Sequence, residues 1–312
     1  MDKLAAKRFK NIPRCIKSFL RFVCDRFLTD KIFLKINYRI KTGQKLNLDY
    51  PVLFNEKLQW LKLYDRKPLY TKMADKYEVY KFVEEKIGKK YLIPLLGVWD
   101  RQEDIDFDML PNQFVLKCTH DSGGIIICKD KKNNDFISKD NKKLDMDNVI
   151  KIISASLKRN YFYKSREWVY KDIKPRIIAQ QFISDKGNNG LLEDYKVFTF
   201  NGKSKLIQVH FNKSTNHKAN FYSTNWLFQD FYVKEISDQN YRIQKPECLV
   251  EMLKLAETLA EGTPHLRVDF FYCNGKLYFG ELTFYNWSGY GKFIPESYNE
   301  LLGSWITLPK PV

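Results

Sequence analysis

Apolar residues recur along this chain with two periods, and each period predicts an element. Over residues 54–63 they fall at Phe54, Leu58, Trp60, Leu61 and Leu63, a helical spacing. Over 73–87 that spacing continues at Met73, Tyr77, Tyr80, Phe82, Val83 and Ile87, with Gly88 as a stop. Further helices are expected at 148–159 and 247–260. Strand-like runs cover 113–118, 125–128, 176–183, 194–200 and 204–211, the last two joined at Asn201-Gly202. The stretches 100–112, 129–147 and 212–226 are polar enough to read as connections, and 161–170 has no clean period. Mixed strands and helices without internal repeats indicate an α+β or α/β chain.

Near the C-terminus, Leu266-Arg267-Val268-Asp269-Phe270 and Tyr278-Phe279-Gly280-Glu281-Leu282-Thr283-Phe284 flank an Asn274-Gly275 turn. Each run holds one carboxylate among apolar residues, and a buried acid needs a partner. Two acids on one hairpin face repel unless a cation lies between them. Hard divalent ions such as Mg2+ take one or two carboxylates plus substrate phosphates, which points to phosphoryl chemistry. Register decides whether the acids share a face, because a one-residue slip turns every side chain over. With Asn274 and Gly275 alone as the loop, Glu281 stands opposite Val268, away from Asp269. A three-residue loop, Cys273-Asn274-Gly275, sets Arg267 opposite Glu281 and gathers Arg267, Asp269, Glu281 and Thr283. A shared metal therefore requires the odd loop or a bulge.

Charge changes the picture at the other end. Formal net charge is +16, and residues 1–50 hold 13 Lys or Arg against 4 Asp or Glu. That places +9 on the first 50 residues and +7 on the rest. There, apolar residues from Cys15-Ile16 to Ile32-Phe33-Leu34 recur three and four apart, with Lys17, Arg21, Arg26, Lys31 and Lys35 between them. The stretch reads as a basic amphipathic helix, suited to an anionic membrane surface or to packing on the protein's own core. Stepwise trimming of residues 1–45 separates the two, since only the first reading loses liposome binding. No run reaches the ~20 apolar residues of a membrane span. Basic residues continue through the apolar stretch, unlike a signal peptide. The expected location is cytoplasmic, with peripheral contact at the inner face of the membrane. Because the basic charge lies mostly outside the core, no nucleic acid is expected as a partner.

The six cysteines are scattered without a CxxC pair, and the four histidines do not cluster in sequence. This argues against zinc and against a disulfide framework. Cys118 and Cys128 are expected as small buried apolar residues.

Three further segments offer chemistry. Lys117 ends a strand and leads into His120-Asp121-Ser122-Gly123-Gly124, where glycines let backbone N–H groups approach an anion. It is not the P-loop pattern. Residues 180–196 run from a strand through a polar loop into Asp194-Tyr195-Lys196, a ribose and phosphate contact or a surface ion pair. Asp75-Lys76 sits at a helix start, where an acid ordinarily caps.

Taken in order, these segments resemble the ATP-grasp fold, and more narrowly the TupA-like ATP-grasp family, named for a protein of teichuronopeptide biosynthesis. The resemblance spans about residues 50–300. It is carried by Phe54-Asn55-Glu56-Lys57-Leu58-Gln59-Trp60, Ala74-Asp75-Lys76-Tyr77, Val115-Leu116-Lys117-Cys118-Thr119-His120-Asp121-Ser122-Gly123 and Asp194-Tyr195-Lys196-Val197-Phe198. Arg267-Val268-Asp269 and Phe279-Gly280-Glu281-Leu282-Thr283-Phe284 complete it. The resemblance implies an α+β fold in which two α+β subdomains grip ATP between them, with a basic helical N-terminal extension. It implies ATP and Mg2+ as cofactors. Lys76 and Lys117 would contact phosphates, and the loop with His120, Ser122, Gly123 and Gly124 would close over them. Gln180, Gln181, Phe182 and Ile183 would form the adenine hinge, and Asp194 would meet the ribose. Lys196 and Arg267 would face the transferring phosphate, and Asp269, Glu281 and Thr283 would hold the metal. Thr283 departs from the asparagine of most ATP-grasp proteins, Gln180-Gln181 from a common carboxylate, and Lys213 from an arginine frequent in related chains.

The implied organisation is a basic extension at 1–50, a pre-grasp region at 51–112, a lid subdomain at 113–183 and a C-terminal subdomain at 184–312. The implied reaction activates a carboxylate as an acyl phosphate, which an amine then converts to an amide. Expected partners are a carboxylate acceptor, such as a uronic acid of a bacterial capsular or cell-wall polysaccharide, and an amine or amino-acid donor. The alternative is a glycosyltransferase of surface polysaccharide, for which Asp145-Met146-Asp147 offers an Asp-x-Asp element in a lysine-rich polar stretch.

Overall fold

The computed structural model describes residues 28–185, 192–211, 217–241 and 243–310; residues 1–27 of the basic extension and Lys213 lie outside these. Two six-stranded antiparallel sheets organise the chain. The first runs β1 (Leu95–Trp99), β6 (Ile177–Gln181), β2 (Phe114–Cys118), β3 (Ile125–Asp130), β4 (Asp135–Ser138) and β5 (Lys143–Leu144). The second runs β10 (Phe228–Gln229), β9 (Lys218–Ser223), β8 (Lys203–Phe211), β7 (Glu193–Phe200), β11 (His265–Cys273) and β12 (Lys276–Thr283).

Each sheet buries one apolar face beneath a helix. On β2, Phe114, Leu116 and Cys118 alternate inward and pack with Val149 and Ile153 of α5 (Met146–Leu157). Asp145 caps α5 by accepting the Asn148 N–H at 2.7 Å, so Asp145-Met146-Asp147 is a helix start. On the second sheet, Met252, Ala256 and Leu259 of α7 (Leu249–Leu259) lie over β7, β8 and β11. Strands β4, β5 and β9 occur where connections were expected. The middle of β9, Ala219 to Tyr222, is buried on both faces, so the alternation that marks a half-buried strand is missing. The stretch 161–170 holds one helical turn, α6 (Phe162–Ser165).

The helix expected over 73–87 is broken into α3 (Pro68–Ala74) and α4 (Val79–Ile87). Asp75 is extended, and its carboxylate accepts the Tyr77 N–H at 2.8 Å while pairing with Arg176 at 3.5 Å. The break lets the Lys76 N–H donate to the Thr119 carbonyl at 3.2 Å, which ties Lys76 to the end of β2.

From Asp30 onward the basic extension packs on the protein's own core. Thr29 and Gly43 bound α1 (Asp30–Thr42), which buries Phe33, Leu34 and Tyr38, and Asp30 pairs with both Arg66 and Arg166. Its other face leaves Ile32, Ile36 and Ile40 exposed. Among the described residues no helix is long and apolar enough to cross a membrane. The next helix, α2 (Phe54–Tyr64), acts as a bracket: Asn55 donates to Asn299 of α8 (Ser297–Ser304) and to the Gly291 carbonyl, while Gln59 and Lys62 hold the Ser288 carbonyl. That fixes the segment following β12.

Candidate active site

A cleft of about 200 Å3 is lined from both sheets. Its floor is the β11–β12 hairpin. Asn274 and Gly275, both with positive φ (50° and 73°), form a two-residue loop, with Cys273 opposite Lys276. The three-residue loop considered from sequence is therefore not formed. A bulge at Gly280 replaces it: the pairing slips between Asp269 and Phe270, so Phe270 faces Phe279 while Asp269 faces Glu281. A side chain at Gly280 would place its Cβ 3.0 Å from the Asp269 carbonyl oxygen, which is why glycine stands there. On the other side Asp269 faces Lys196 of β7. Lys196, Asp269 and Glu281 thus form a row across three strands, with Arg267 opposite Thr283 in the next row.

The row is closely paired. Arg267 grips Asp269 through Nε at 2.6 Å and Nη2 at 2.8 Å, and Nη2 also reaches Glu281 at 2.9 Å and Thr283 at 3.0 Å. Lys196 donates to Asp269 at 2.7 Å and Asp194 at 3.0 Å. The repulsion between the two acids is thus answered by the chain's own cations. Burial raises the Asp269 carboxyl above its usual range against the pull of Arg267 and Lys196. Glu281 keeps 47% of its side-chain surface open. Burial would raise its carboxyl, but Arg267 and Lys196 outweigh it and hold the group down to about 2. Burial would likewise lower Lys196, yet Asp194 and Asp269 keep its ammonium above the ordinary value.

Behind Arg267 runs a chain of oriented hydrogen bonds that the sequence reading missed. Arg267 Nη1 donates to Asn286 Oδ1 at 2.9 Å, and Asn286 Nδ2 lies 2.8 Å from His265 Nε2. His265 Nδ1 lies 2.8 Å from the Thr199 carbonyl, which can only accept, so Nδ1 carries the proton and Nε2 accepts from Asn286. Burial lowers His265 to about 3, keeping it neutral. The strand period offered a signal, since His265, Arg267 and Asp269 are spaced by two.

The upper wall is cationic. Lys76, Lys117 and Lys139 line the cleft, with Lys139 coming from the stretch expected as a connection. Burial, then the Lys76 charge, lowers Lys117 to about 8. Among the described residues the Lys117 ammonium has no hydrogen bond or ion pair. Gln180 lines the cleft and donates to the Tyr80 hydroxyl, while its Oε1 is buried without a partner among the described residues. Gln181 ends β6 and Phe182 and Ile183 lie beyond it, short of the strand expected to 183, and none of the three lines the cleft.

The glycine loop is turned differently. His120 is buried with Nε2 3.0 Å from the Ser156 carbonyl of α5, away from the cleft. Asp121 accepts the N–H groups of Gly123 at 3.2 Å and Gly124 at 3.0 Å, the Ser156 hydroxyl and Arg159, and its carbonyl takes the Lys76 ammonium. Ser122 and Gly123 are exposed, and none of His120, Ser122, Gly123 or Gly124 lines the cleft. Elsewhere, two histidines expected apart meet: His210 Nδ1 and His217 Nε2 are 2.8 Å apart.

Solved structures similar to this chain include D-alanine–D-alanine ligase from Bacillus anthracis complexed with ATP, at 16% identity and TM-score 0.38 over 68% of this chain and 53% of that one. D-alanine–D-alanine ligase from Helicobacter pylori matches at 13% and 0.39, over 81% and 69%. A RimK domain ATP-grasp protein from Sphaerobacter thermophilus DSM 20745 matches at 11% and 0.41, over 78% and 70%. The chain thus spans between about half and 70% of the length of these structures. No curated protein matches the chain. The TupA-like ATPgrasp family matches residues 56–307, which takes in α2 from Glu56 onward, both sheets and every residue of the cleft, and the chain belongs to that family.

Proposed function

We propose that the chain is an ATP- and Mg2+-dependent carboxylate–amine ligase. The observation that carries the proposal is the opposition of the Lys196–Asp269–Glu281 row, with Arg267, to the unpaired Lys117 on the facing wall. The lining groups Lys76, Lys117, Lys139 and Lys196 outnumber Asp194, Asp269 and Glu281 by one charge, and Arg267, paired with Glu281, adds a second, which suits a polyphosphate. The orphaned Gln180 Oε1 is a buried acceptor for an adenine amine. Asp269, Glu281 and Thr283 form an all-oxygen donor set, which fits a hard dication, and these residues would hold Mg2+. When bound, the ion would neutralise charge on the phosphate oxygens.

The chain's residues divide the work. Lys117, Lys76 and Lys139 anchor the phosphates, and Arg267, locked by Asp269, Asn286 and His265, presents a fixed positive charge at the transfer point. A substrate carboxylate oxygen attacks the γ-phosphorus, the bond to ADP breaks, and an acyl phosphate results. An amine nitrogen then attacks the acyl carbon, phosphate departs, and the amide forms with loss of a proton. The reading that the acid is a uronic acid of a bacterial surface polysaccharide, and the amine an amino acid, is drawn from family membership. The row Ile32, Ile36 and Ile40 beside Lys31, Lys35 and Arg39 supports peripheral membrane contact.

The test is ADP release with panels of sugar uronates and amino acids. Release should require both substrates and Mg2+, and Glu281→Gln should lower it by about 100-fold with the fold retained. ATP binding without Mg2+-dependent ADP formation in any pool would defeat the proposal.

A further inference from the structure

Among the described residues, the tertiary structure gathers one cluster of His, Cys, Asp or Glu ligating atoms outside the cleft, and we propose that its members, His210, His217 and Glu235, form a zinc-type metal site. His210 is next to last in β8, opposite Asp194 of β7 on one side and Ala219 of β9 on the other. Directly opposite residues share a face, so His210 stands on the face that carries Asp194 and Lys196, at the margin of the cleft. His217 immediately precedes β9. Their rings lie 5.0 Å apart, inclined by 40°, with His210 Nδ1 2.8 Å from His217 Nε2.

The third donor comes from a separate segment. Glu235 follows β10, and that segment is held by the pairing of Tyr232 with Ile294 and by the Ala219 N–H on the Ile236 carbonyl at 3.4 Å. One ligating atom from each of the three residues falls within 4.8 Å of the other two. Glu235 also meets Lys234 at 3.3 Å, but Lys234 is 77% exposed and free to swing away.

Two imidazoles and one carboxylate are the protein donor set of a three-ligand zinc site. Imidazole nitrogen disfavours Mg2+, which prefers oxygen, so this site and the hairpin acids select different ions. Metal–nitrogen distances of about 2.0–2.1 Å in a tetrahedron set two imidazole nitrogens about 3.3 Å apart, roughly half an ångström beyond their separation here. A proton shared between the rings accounts for the histidine pair alone; it leaves the convergence of Glu235 unexplained. A bound ion would tie the end of β8 and the start of β9 to the segment after β10, beside Asp194. The inference is independent of the ligase reading.

The test uses the full chain, stripped with a chelator and titrated with Zn2+ in excess Mg2+. Native mass spectrometry should show one zinc per chain, and Co2+ should give the intense visible absorption of a four-coordinate site. His210→Ala and His217→Ala should each weaken zinc binding by more than the roughly 10–100-fold that loss of an outer partner costs. Glu235→Gln, which preserves shape, should also weaken it and serves if a histidine variant fails to fold. Absence of zinc uptake by the parent chain, or unchanged uptake in the variants, would overturn the site. Histidine titration by NMR that is insensitive to Zn2+ would do the same, leaving a shared proton as the full account of the pair.

Discussion

The β11–β12 hairpin and the β2–β3 hairpin both end at the cleft, but they reach it in different electrostatic states. On the floor, Arg267 and Lys196 hold Asp269 between them, and Arg267 extends to Glu281 and Thr283. On the wall, the half-buried Lys117 side chain has no hydrogen bond or ion pair among the described residues, and partial desolvation, then the Lys76 charge, holds its pKa down. The floor is ordered by interactions the protein makes with itself. The wall retains a cation whose desolvation is offset only in part by the Glu281 charge, leaving it to an arriving anion to offset the rest. Floor residues should therefore contribute to folding as well as chemistry, while Lys117 should favour ligand binding and oppose folding.

The sharpest way to break that contrast is Arg267→Met. It leaves Asp269, 2% exposed, with one cationic partner, and should cost about 3–5 kcal/mol in urea unfolding. Adding Asp269→Leu should restore much of the loss, because the stranded charge goes with it. If the single variant is as stable as the parent, the floor is not held by its ion pairs.

Lys117→Met should behave oppositely. ATP binding should weaken by about 1.5–3 kcal/mol in calorimetry, while stability should hold or rise. The pH dependence has a definite sign. A lysine at about 8 in the folded protein and ~10.4 unfolded opposes folding below pH 8, and that penalty fades as pH rises toward ~10.4. Phosphate binding needs the ammonium, so ATP affinity should fall as pH rises through about 8 in the parent chain and not in Lys117→Met.

The smallest effect tests the device that aligns the floor. Gly280→Ala pushes a methyl group against the Asp269 carbonyl at 3.0 Å and should cost about 1–3 kcal/mol, with ADP release falling as Asp269 and Glu281 lose alignment. A variant as stable and active as the parent would show that the bulge does not bring the acids together.

Much of this was legible from local pattern. The cores of α2, α5 and α7 follow their apolar spacing, and β2, β3, β7 and β8 follow theirs. The residues of the floor were also legible as a group, because strand alternation is local and Arg267, Asp269, Glu281 and Thr283 sit on matching steps once the register shifts by one. Other features depended on partners far away in sequence. Asp75 breaks its helix because its carboxylate caps the Tyr77 N–H and meets Arg176, about 100 residues on. His120 and Asp121 turn inward because Ser156 and Arg159 of the α5 region wait there.

By itself the sequence determined that two β runs, an Asn-Gly turn, a strand-ending lysine and a glycine loop follow one another in an order suited to a nucleotide site. Periodicity and turn chemistry are properties of neighbouring residues, so they can be read in one dimension. Only the tertiary structure decided that the turn has two residues and that Gly280 bulges to correct it. It alone brought Lys139 and Gln180 to one wall and left the amides of Gly123 and Gly124 on Asp121. The reason is physical. Facing and pairing depend on a register of one residue between strands distant in sequence, and that register is set by packing rather than by any local preference.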